Sequence, residues 1–106
     1  MLINADKLTE QAKQELLKEL ETELANFQKK LEQMFLEMEK IRIKKELIEN
    51  NMFDYVEHER EAFLNYFDYK GLEEKYEDLR KQYYSIENAH HKRFLNKIIN
   101  NLKKTM

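Results

Sequence analysis

The chain has 106 residues, a net charge of −2, 38% charged and 42% apolar residues, no cysteine, no proline and a single glycine, Gly71. Without thiols there is no disulfide framework, thiol nucleophile or thiolate zinc site. With the helix-breaking residues almost absent, β and mixed folds give way to long helices, and the apolar share is still enough for a core.

The start of the chain, Met1-Leu2-Ile3-Asn4-Ala5-Asp6, lacks the basic-then-apolar layout of a leader. No apolar run approaches the roughly 18 residues that span a bilayer, so a cytoplasmic protein is expected. Lys, Asn, Ile, Tyr and Phe are plentiful and Ala and Gly scarce. That style of AT-rich coding suits an accessory factor of a phage or mobile element.

The first predicted element is a coiled-coil helix over residues 6–50, with Asp6 as its N-cap. Leu17, Leu20, Leu24, Phe27, Leu31, Met34, Met38 and Ile41 alternate in steps of three and four, which lines them along one side of the helix. A helix this long outruns the cover its own chain can offer, so these eight are expected to form an interface with a second chain, in a homodimer or higher oligomer. The seam continues less cleanly through Lys45, Ile48, Met52 and Tyr55. Lys45 falls on a core position, where a charge costs stability.

Leu36, Ile43 and Leu47, with Phe35 beside them, fall on the side opposite the seam. An exposed second stripe is an aggregation hazard, so the rest of the chain is expected to fold back over it. That would make a bundle in the middle and leave the first two dozen residues projecting as a thinner coiled coil.

Asn50-Asn51 is a weak interruption, after which Met52, Val56, Phe63 and Phe67 form a rotated stripe. Either the helix continues to 69 or it restarts. Gly71 is suited to the left-handed residue that ends a helix. A C-terminal helix over 72–104 follows, its stripe moving from Leu72, Tyr76, Leu79, Tyr83 and Ile86 to Phe94, Leu95, Ile98, Ile99 and Leu102. The fold expected is all-α: a single helical module over 1–106, with a long amphipathic coiled-coil helix followed by a helical hairpin, assembled as an oligomeric bundle.

No glycine-rich phosphate loop, nucleophile elbow or Ser/His/Asp constellation is present, and the runs Glu57–Glu61 and Glu73–Asp78 read as solvated faces. Catalysis is therefore not expected, nor any cofactor. Glu87 and His90 have the Glu-x-x-His spacing of di-iron bundles, but the pattern occurs once, and His91 reads as a packed histidine; no metal is assigned.

Two features point to partners. Nine of the twelve aromatic residues lie between Phe53 and Tyr84. Phe63, Phe67, Tyr76 and Tyr83 fall on the stripes as core residues, while Tyr69 and Tyr84 lie off them as candidates for partner contact. Second, Lys92, Arg93, Lys97, Lys103 and Lys104 stand in an acid-free segment, 88–106, whereas all 21 acids and the other 14 bases lie in 1–87. The basic end could meet nucleic acid, a membrane surface, an acidic protein or the acidic body of its own assembly. The function expected is a non-enzymatic coiled-coil adaptor or regulator that binds itself and another protein. A nucleic-acid-associated regulator using the basic helix comes second, and a scaffolding coiled coil third.

Overall fold

A computed structural model describes residues 4–106, so the Met1–Ile3 end of the segment read for a leader lies outside it. Four helices follow in order: α1 (Ala5–Met52), α2 (Glu57–Tyr66), α3 (Tyr69–Tyr83) and α4 (Ile86–Lys104), with no strand among the described residues. The described residues fall into two compact units. The first joins residues up to Lys30 to Ile86–Met106, and the second is Leu31–Ser85.

α1 runs unbroken for 48 residues. Its cap is Asn4, not Asp6: the Asn4 Oδ1 accepts from the Lys7 amide at 3.1 Å, and the Asn4 carbonyl accepts the first helical bond from Leu8. Asp6 instead adds a negative charge to the first turn. Along the exposed side, Glu37–Lys40, Glu39–Arg42 and Arg42–Glu46 pair at 2.8–3.3 Å. Such exposed pairs are screened by water and contribute little to stability.

The first unit is an antiparallel helix pair. Lys13 Nζ donates to the Thr105 carbonyl at 2.9 Å, and the Phe27 ring meets the His91 ring at 4.3 Å. The two contacts lie 14 residues apart on each helix, which fixes the register. Leu95 and Ile99 are buried between them in sequence and stand level with the Leu20–Leu24 turn of α1. The first two dozen residues therefore do not project as a lone coiled coil, because α4 lies along them.

The second unit pairs the end of α1 with α3, again antiparallel: Phe35 meets Tyr83 at 5.7 Å, and Tyr69 donates its hydroxyl proton to Glu49. Met38, Ile41 and Ile48 are buried here. α1 ends at Met52, where Asn51 Nδ2 donates to the Leu47 carbonyl and the Asp54 and Tyr55 amides turn back onto Asn51 and Met52. The side-chain amide competes with helix continuation, so the helix restarts after the Asn pair.

Two expected boundaries move. The left-handed residue is Asp68 (φ 49°, ψ 53°), at the N-terminus of α3, and Gly71 lies inside that helix without a positive φ. The short polar side chain of Asp tolerates this conformation. A Cβ at Gly71 would meet the Asp68 carboxylate, which would have to swing aside. The helix expected over 72–104 is interrupted at Tyr84–Ser85, where the Tyr84 amide bonds the Arg80 carbonyl and the Ser85 amide bonds Gln82. The break lies just before the stripe shift, which follows Ile86 within α4.

Candidate protein-docking surfaces

The eight seam residues are covered, wholly or in part, within the chain. Leu17, Leu20, Leu24 and Phe27 are half-buried in the first unit, and Leu31 and Met34 in the second, where Met38 and Ile41 are buried. The opposite face is the one left open: Leu36 and Ile43 are each 47% exposed, Leu47 57% and Phe35 43%. The fold-back expected over this second stripe is thus spent on the seam. A short covering helix follows the face with the longer apolar run, because that face offers more area to bury.

On α4 the structure splits a stripe that the sequence showed as one. Leu95 and Ile99 turn inward, while Phe94 and Ile98 are 52% and 54% exposed. At 100° per residue the run from Phe94 to Ile99 covers about 140° of the helix, wider than one neighbouring helix shields. That width was the available signal for a second, outward contact. Arg93, Lys97 and Lys104 form a row along one edge of the Phe94–Ile98 strip, and the Arg93 guanidinium lies 5.0 Å from the Phe94 ring centre. Lys92 and Lys103 are exposed too, but lie round the helix on the far side of the buried face. Glu87 in the first turn and Lys103 and Lys104 in the last complement the helix dipole. His90 stacks on Phe94 at 5.2 Å. Among the described residues no three His, Cys, Asp or Glu side chains converge as a metal site.

In the second unit, aromatic rings surround α2. Tyr55–Phe63, Phe63–Phe67 and Tyr66–Phe67 meet at 4.8–5.2 Å and line an open cleft of about 450 Å³ with Glu59 and Ala62. Phe63 and Phe67, expected as core, are half-buried, and Tyr76 and Tyr83 likewise. Phe53, Val56 and Tyr66 stand exposed, with the Arg60 guanidinium 5.0 Å from the Phe53 ring.

The two tyrosines singled out in the sequence separate. Tyr84 is 67% exposed, edge-on to Tyr83. Tyr69 belongs to the packing: it is half-buried, its hydroxyl is held by Glu49, and Lys45 Nζ lies 5.6 Å from its ring and 5.8 Å from that of Tyr76. The hydrogen bond to Glu49, then burial and the charges of Glu49 and Glu73, push the Tyr69 hydroxyl up to about 12. Lys45, expected to cost stability at a core position, is thereby given two ring faces for its charge. The other shifted groups are exposed ion pairs, in which Arg42 lowers Glu39 and Arg80 lowers Glu77.

No protein-family model matches this chain, and no curated protein or solved structure matches it either. No helix among the described residues is long and apolar enough to cross a membrane.

Proposed function

We propose that this chain is a non-enzymatic binding protein, an adaptor or regulator whose α4 docks on an acidic face of another protein. The observation that carries the reading is the outward pair Phe94 and Ile98 beside the cationic row Arg93, Lys97 and Lys104. Phosphate backbones are held by cations and polar hydrogen-bond donors, and need no large aliphatic side chain beside them. Two large apolar side chains beside a row of cations instead fit an interface with an apolar centre and a charged edge. Salt separates this from the nucleic-acid reading.

A photo-crosslinking residue at position 94, used in host extract, should capture a protein that is then identified and purified. Its binding to the intact chain should survive raised salt in large part and fall at least tenfold with Ile98→Asp, while helicity stays unchanged. Binding to duplex DNA or RNA that collapses with salt and ignores Ile98→Asp would move the function to the nucleic-acid reading. Binding only to anionic vesicles would move it to a membrane surface.

A further inference from the structure

We propose that a second copy of this chain packs, parallel and two-fold related, on the outer face of α1 between Leu36 and Leu47. This face is opposite the heptad seam. At 3.6 residues per turn Leu36, Ile43 and Leu47 fall within about 40° of one another, and all three are exposed.

The edges of the strip identify the occupant. Glu32, Glu39 and Glu46 run along one side at heptad spacing; Lys40 and Lys44 run along the other, with Glu37 bonded to Lys40 at 3.2 Å. Arg42 bonds Glu39 at 2.8 Å and Glu46 at 3.3 Å from the side away from the strip, which fixes the acidic edge in place. In a parallel two-fold pair the acidic edge of each copy faces the basic edge of the other. Glu39 then meets Lys44 of the second chain five residues on, as in paired coiled-coil helices. An antiparallel pair would set acid against acid and base against base. The pairing of Glu39 with Lys44 thus favours the parallel orientation. Three aliphatic side chains and their rims fall short of the roughly 1,200–2,000 Å² of a standard stable interface, so the dimer forms and dissociates with concentration.

Sedimentation of the full chain over a wide concentration range should show monomer passing to dimer. Ile43→Glu should hold it at monomer mass with unchanged helicity, because Ile43 is exposed within one chain. The cysteine-free sequence allows a direct test of orientation. Leu36→Cys and Leu47→Cys, each alone, should form disulfide-linked dimers under mild oxidation, and Glu61→Cys on exposed α2 should not. A wild-type chain that stays monomeric throughout overturns the proposal, and so does a dimer that survives Ile43→Glu. Cross-linking only when positions 36 and 47 both carry cysteine would show antiparallel pairing and overturn the orientation. Ile43→Glu should leave α4 binding intact, so either proposal can fail without the other.

Discussion

The two units solve the same problem, covering one stripe of α1, with different chemistry. In the first, α4 buries Leu95 and Ile99, and Lys13 bonds the Thr105 carbonyl. In the second, α3 brings tyrosines to a face that carries Lys45 and Glu49, and the packing passes through Tyr69 and Tyr76. Aliphatic packing depends on area and tolerates adjustment. The tyrosine–lysine–glutamate arrangement is directional and holds one register, because a shift of one turn would part Tyr69 from Glu49. The comparison teaches how a helix without strong boundaries can be matched to two neighbours: area holds one, and polar geometry places the other.

The largest expected effect tests whether the units are energetically separate. Ile99→Ala and Ile48→Ala should each lower stability by roughly 2–3 kcal/mol in urea unfolding, the lower part of the range for buried aliphatic truncation. Amide exchange should then locate the loss: Ile99→Ala exposes α4 and spares α3, and Ile48→Ala does the reverse. Equal loss of protection in α3 and α4 from either variant would mean one cooperative structure.

A smaller effect sharpens the chemistry of the second unit. Lys45→Met keeps the apolar stem and removes the charge from two ring faces, so it should cost about 0.5–1 kcal/mol by thermal or urea unfolding. A gain would mean that Lys45 behaves as the misplaced core charge its heptad position implies, and that the rings contribute nothing through it.

The smallest effect concerns Tyr69. Its hydroxyl pKa is raised from 10 to about 12 in the folded chain, so the neutral form is favoured by folding. That contribution is complete below pH 10 and disappears as pH rises through about 12. Tyr69→Phe should cost about 0.5 kcal/mol at neutral pH. The gap between the variant and the native chain in urea midpoint should then close between pH 10 and 12. A gap that stays constant across that window would show that the hydroxyl of Tyr69 does not carry the contact.

By itself the sequence determined the helical class, the long first helix, the position of the seam, the second stripe at Leu36, Ile43 and Leu47, and the shift of stripe near Ile86. Each follows from residue spacing, and spacing maps directly onto the angular order of side chains on one helix. It also marked the Asn50-Asn51 interruption, whose side-chain amide bonds the backbone locally. Tertiary structure alone decided which of the two stripes on α1 the chain covers, how Phe94 and Ile98 part from Leu95 and Ile99, and that Tyr69 turns to Glu49. It also placed the left-handed residue at Asp68, whose carboxylate lies in the space beside Gly71. These depend on the competition between faces for a limited amount of covering helix and on contacts between residues tens of positions apart. Periodicity along a single helix carries no record of either, because it ranks the faces of that helix without saying which neighbour arrives.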